Sequence, residues 1–132
     1  MNKIRVKIEN ISKDNDLHMV RAVSSKIPFN IVTLELNDKI NNEKNVNIYF
    51  KESEVIICRN KNPLLSIENA VKCNIIDIES GNLLSNIKMI SACGIITSLI
   101  STKWAERLNL KVMDKVVAMI KANSISIGEE EE

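Results

Sequence analysis

Val46-Asn47-Ile48-Tyr49-Phe50-Lys51-Glu52-Ser53-Glu54-Val55-Ile56-Ile57 and Val116-Val117-Ala118-Met119-Ile120-Lys121-Ala122-Asn123-Ser124-Ile125-Ser126-Ile127 share one pattern. Each is an apolar run, a lysine, a polar step and a second apolar run, which predicts two strands joined at a kink that carries the lysine. The starts of the two halves match as well. Ile4-Arg5-Val6-Lys7-Ile8-Glu9-Asn10-Ile11 lies over Val71-Lys72-Cys73-Asn74-Ile75-Ile76-Asp77-Ile78, and both are rich in β-branched residues. The chain therefore reads as one unit written twice, with its boundary near residues 60–65. Residues 1–61 form the first module and 62–128 the second. Residues 129–132 are an acidic tail with nothing to bury.

Between these landmarks each half carries two more strand candidates. In the second half they are residues 84–90 and 94–100, separated by the turn Ser91-Ala92-Cys93-Gly94 and preceded by the turn Ser80-Gly81-Asn82. Residues 18–23 and 29–36 play the same parts in the first half. Pro28 opens the second of these strands, where its missing N–H is tolerable. One helix is expected, over residues 102–108, with Ser101 as N-cap and Asn109 as its stop. Trp104 and Leu108 share a face that can plug a barrel end, whereas the first half has only a polar loop at residues 37–45. The expected fold is all-β: two OB-like five-stranded barrel modules in tandem, with one short helix in the second.

Composition narrows the function. The 132 residues are 45% apolar and 27% charged, ordinary for a chain with a packed core. No apolar stretch is long enough to span a bilayer and residues 1–10 carry no signal core, so a cytoplasmic location is expected and no membrane partner. A net charge of +1 without clustered Lys and Arg argues against nucleic acid. Cys58, Cys73 and Cys93 are an odd, widely spaced set with only His18 beside them, so no direct metal-cation site is expected. His18 reads as a surface strand residue. No Ser/His/Asp, Cys/His or paired-carboxylate arrangement is evident, and no catalytic residues are assigned.

Three elements of the second module carry a resemblance. They are Ser66-Ile67-Glu68-Asn69, then Leu108-Asn109-Leu110-Lys111-Val112-Met113-Asp114-Lys115-Val116, then Ala118-Met119-Ile120-Lys121-Ala122. Their order resembles the Mop, or TOBE, family of molybdate-binding domains, with its Ser-[Ala/Ile]-Arg-Asn, Leu-Gly-Leu-Lys-x-Gly-Asp-x-Val and Leu-Ile-Lys-Ala-[Thr/Ser] motifs. The first module matches only the last, as Tyr49-Phe50-Lys51-Glu52-Ser53. The whole chain is thus similar to a tandem di-Mop protein, and to the C-terminal regions of molybdate-transporter ATPases and of the molybdate-responsive regulator. The resemblance implies a non-catalytic protein that binds molybdate or tungstate, needs no covalent cofactor, and forms a homo-oligomer, a trimer rather than a dimer. Its sites lie between subunits.

A tetrahedral dianion only accepts hydrogen bonds, so it needs N–H groups, hydroxyls and a cation. The resemblance implies Ser66 with the backbone of Ile67 and Glu68, Asn69, Ser101, and Lys121 with the N–H of Ala122. Ser101 also lies where a helix dipole favours an anion. Lys51 and Ser53 are the corresponding candidates for a second site. Each residue has a structural alternative: Ser66 and Asn69 as turn formers, Ser101 as a helix cap, Lys121 as a solvated edge lysine. Glu68 stands where the family commonly has arginine, and Met113 where it has glycine. Two arrangements follow for Glu68. In one its side chain points to solvent and only its backbone contributes, and in the other its carboxylate faces the anion and weakens the site.

Overall fold

A computed structural model describes residues 1–59 and 64–129, so most of the expected boundary near residues 60–65 and residues 130–132 of the tail lie outside the described residues, while Glu129, expected in the tail, ends a strand. Ten strands form: β1 (Asn2–Asp14), β2 (Leu17–Ser24), β3 (Ile27–Thr33), β4 (Asn45–Phe50), β5 (Ile56–Cys58), β6 (Asn69–Ser80), β7 (Leu84–Ser91), β8 (Gly94–Ser101), β9 (Lys115–Ile120) and β10 (Ser126–Glu129). Period-two alternation drives the long ones. In β1, Asn2, Ile4, Val6 and Ile8 turn inward while Lys3, Arg5 and Lys7 face solvent, and β6 repeats the pattern. Pro28 lies in β3, an edge strand, opposite Val23 of β2.

The two halves repeat down to their irregularities. A β-bulge shifts the register between Ile8 and Asn10 in β1, and another between Ile75 and Asp77 in β6. Each bulge is held by a returning loop. Glu43 N–H donates to Ile8 O (2.8 Å) and Met113 N–H to Ile75 O (2.7 Å). Both loop residues have left-handed backbone, φ 72° at Glu43 and 80° at Met113. Met113 therefore occupies a position that demands glycine's conformational freedom, and its side chain is 83% exposed, so it gains little from packing. Met113→Gly is expected to stabilise the protein by about 0.5–1 kcal/mol, net of the greater unfolded-state freedom of glycine. Denaturant unfolding checks this, and a loss of stability would show that the methionine packs in solution.

Two five-stranded antiparallel sheets result, in the orders β10-β4-β1-β2-β3 and β5-β9-β6-β7-β8. Five strands per unit is the expected number, but the fifth is exchanged. After Lys51 (φ −71°, ψ 147°) and Lys121 (φ −70°, ψ 144°) the chain makes a 3-10 turn, Glu52–Glu54 or Ala122–Ser124, and then crosses over. β5 pairs with β9 of the second half, and β10 with β4 of the first. Each sheet is extended by the other half's last strand, which covers the edge of β4 or β9. The buried residues accordingly form one cluster drawn from both halves.

The helix α1 (Thr102–Arg107) starts as expected, with Ser101 Oγ accepting from Trp104 N–H at 3.2 Å. It ends in a Schellman motif: Asn109 N–H donates to Glu106 O, Leu110 N–H to Ala105 O, and Asn109 adopts φ 53°. The expected plug is corrected. Ala105 is the buried residue of the helix, while Trp104 is 51% exposed and carries the Arg107 guanidinium 5.0 Å above its ring. In the first half Ile40 is buried from within the supposedly polar loop. His18, expected at the surface, is half-buried.

Candidate functional site

The start of β6 is tied to the other sheet by one side chain. Asn69, 1% exposed, accepts from Asn30 N–H (2.7 Å) and donates to Asn30 O (2.9 Å) and Ile120 O (3.1 Å). The start of β1 is tied in the same way, with Asn2 accepting from Thr97 N–H and donating to Thr97 O, both at 2.8 Å. Both N–H donors of Asn69 are thereby used on backbone. Its side chain positions the segment before it.

That segment reaches the kink after β9. Glu68 folds its carboxylate back so that Oε1 accepts from the N–H of Ala122 at 2.8 Å, beside Lys121. Ser66 is exposed and Ile67 half-buried in the same segment. The Ala122 N–H, then Glu68's own backbone amide, hold the Glu68 carboxyl below the usual carboxylate range. Lys121 acts in the same direction and desolvation opposes it. A lowered value means the contact is complete above the ordinary 4.5 and lost only as pH falls through the lowered value. An NMR titration of the Ala122 amide should therefore have its midpoint below 4.5; a midpoint above it would show that the bond does not hold in solution.

Ser101 is placed elsewhere. Its oxygen caps α1, and it lines with Ser53 a cleft of about 410 Å³ walled by Ile56, Ile57, Leu99 and Trp104. The kink of the first half is chemically different from that of the second. Lys51 is followed by Glu52, paired with the N-terminal ammonium at 3.0 Å, and by Glu54, which accepts from Ser124 Oγ at 3.2 Å. Glu52 and Glu54 follow Lys51 in sequence, whereas Ala122-Asn123-Ser124 follow Lys121; in space Glu68 reaches the Ala122 amide and Glu54 the Ser124 hydroxyl. The structure brings Ser66, Ile67, Glu68 and Asn69 together with Lys121 and Ala122, and it places Ser101 with Ser53. Among the described residues no cluster of His, Cys, Asp and Glu could hold a metal ion, and no helix is long and apolar enough to cross a membrane.

This arrangement of a Ser-x-x-Asn segment against a Lys-Ala kink falls in a stretch with a family assignment, residues 65–127, which match the TOBE domain. The likeness to the TOBE domain covers residues 65–127. A comparison with curated proteins finds no match. Among solved structures the chain is similar to the cytoplasmic molybdate-binding protein ModG, in a form with molybdate bound. The TM-score is 0.92 at 20% identity, over 98% of this chain and 96% of that one. At that identity the likeness shows the fold, and the nearly all-β, OB-like architecture is shared.

The TOBE-like stretch is completed from outside its own span. β5 extends its sheet, and Asn30 of β3 receives Asn69. Arg59, just after β5, donates to Leu108 O (2.7 Å), Asn109 O (2.8 Å) and Asp114 Oδ2 (2.7 Å), fastening the loop behind α1. Lys111 N–H and Arg59 together hold the Asp114 carboxyl below its usual range. Asn30 and Arg59 carried no sequence signal, because their partners lie in the other half of the chain.

Proposed function

We propose that this protein binds molybdate or tungstate in the cytoplasm, in storage, homeostasis or sensing, without catalysis and without nucleic-acid or membrane partners. The observation that carries the reading is that the Ala122 amide, beside Lys121, is already holding a carboxylate oxygen. A backbone donor and a lysine that accommodate one anion offer the chemistry a tetrahedral oxyanion requires. Ser66, the backbone of Ile67 and Glu68, Lys121 and Ala122 supply one set of donors, and Asn69 holds them in place. Ser101 contributes from the cleft it shares with Ser53, which faces a neighbouring subunit in this reading. Lys51 and Ser53 form at most a second, weaker site. Calorimetric titration of the anion-free protein with molybdate, tungstate and sulfate tests the proposal, and absence of heat with all three would refute it.

The same reading makes the protein a homo-oligomer, a trimer rather than a dimer. Ile56, Leu84, Ile95 and Trp104 all leave large apolar area exposed, and the walls of the Ser53–Ser101 cleft are apolar. Light scattering at micromolar concentration is expected to give a multiple of the chain mass; a monomer would remove the intersubunit contribution of Ser101. The Glu68 contact favours one alternative, a regulatory or interaction module of a molybdate transporter or transcription regulator in which anion binding is weak. Retained complex formation with no oxyanion binding would establish it.

A further inference from the structure

Glu68 puts a carboxylate on the Ala122 amide beside Lys121, two of the proposed oxyanion donors, and the carboxylate is not idle. It accepts the Ala122 N–H at 2.8 Å, although the side chain is exposed and water could satisfy it equally well. From the structure we infer that the Glu68 carboxylate is a resident competitor, occupying the Ala122 amide in the empty protein so that an oxyanion must displace it to bind. This deepens the oxyanion reading and rests on it.

The chemistry is one of exchange. A tetrahedral oxyanion and a carboxylate both present only acceptor oxygens to an N–H group, so the amide can serve one of them fully at a time. Lys121 lies beside both and favours whichever anion is present. Displacement swings Glu68 outward, which its exposed position allows without disturbing the core, because the adjoining Asn69 is anchored to Asn30 and Ile120 independently. The competitor sets a threshold. Oxyanion at low concentration leaves the internal contact intact, and only a strongly accepting dianion at sufficient concentration opens it. In the first half the position equivalent to Glu68 is Met1, whose ammonium pairs with Glu52 at 3.0 Å.

The test compares the natural protein with Glu68→Ala and Glu68→Gln, each freed of anion and titrated calorimetrically with sodium molybdate. Circular dichroism would confirm that the variants fold. Glu68→Ala empties the amide and is expected to tighten molybdate binding about tenfold, the lower end for a charge-assisted hydrogen bond. Glu68→Gln keeps an acceptor that can hold the amide and should gain clearly less. If the glutamine variant gains as much as the alanine variant, charge repulsion acts without occupancy and the inference falls. If the natural protein binds molybdate and Glu68→Ala binds equally or more weakly, the inference falls while the oxyanion reading stands. If neither the natural protein nor folded Glu68→Ala binds molybdate, tungstate or sulfate, the oxyanion reading itself is refuted and the competitor with it. An independent readout is the Ala122 amide resonance. It should shift in ligand-free Glu68→Ala, and no shift would overturn the internal contact.

Discussion

Asn69→Ala should destabilise the protein by about 3 kcal/mol, because it leaves the Asn30 N–H, the Asn30 C=O and the Ile120 C=O without their side-chain partner in a part-buried setting. Each such group forfeits roughly 1–3 kcal/mol when left unpaired, and water reaching the vacated space recovers part of the sum. Asn2→Ala, its equivalent in the repeat, should behave alike through Thr97. Chemical denaturation measures both. The comparison separates two roles for Asn69. A residue that only contacted the oxyanion would lose affinity and leave unfolding unchanged, whereas an anchor lowers stability whether or not anion is present. A loss below about 1 kcal/mol would be no more than one ordinary hydrogen bond and would end the anchoring argument.

Lys121→Ala is expected to weaken molybdate binding by roughly tenfold to a hundredfold, the equivalent of one charge-assisted hydrogen bond of about 1.5–3 kcal/mol. Lys51→Ala should change it far less. The two lysines occupy equivalent kinks with nearly identical backbone angles, so geometry does not distinguish them. The entry segments do: Ser66-Ile67-Glu68-Asn69 leads to the Lys121 kink and touches it through Glu68, whereas only Met1 and Asn2, without a Ser-x-x-Asn motif, stand at the Lys51 kink. Equal losses from the two substitutions would mean that both halves share the site, or that it lies in neither kink. Lys121 is exposed, so its removal leaves folding intact and the titration reads binding alone.

Most of the fold was legible in the chain because it rests on local rules. Alternation marked the strands to within a few residues, Ser101 and Asn109 marked the ends of the helix, and the matched stretches after Val46 and Val116 revealed the repeat. The errors also have local causes. Trp104 was expected to plug a barrel end on its i,i+4 spacing with Leu108, but Ala105 is the residue that the short helix buries. Asn69 was grouped with oxyanion ligands through the family motif; the structure adds that its amide bonds the backbone of Asn30 and Ile120, partners that no local pattern reveals. Glu68 was left between two orientations, solvent-facing and anion-facing. The structure shows a carboxylate bonded to the Ala122 amide itself.

The sequence by itself determined the all-β class, the duplication, the lysine kinks, the helix caps and the chemistry of each kink. All of these follow from backbone preferences and side-chain character within a dozen residues or so. Tertiary structure alone decided which sheet receives β5 and β10, which strand receives Asn2 and Asn69, where Arg59 is anchored, and that Ser101 sits with Ser53 rather than with Ser66. The physical reason is symmetry. Two nearly equivalent halves offer each last strand two similar edges, and no local residue pattern distinguishes pairing at home from pairing across. The choice is made by covering the β4 and β9 edges with strands that pack over one shared core.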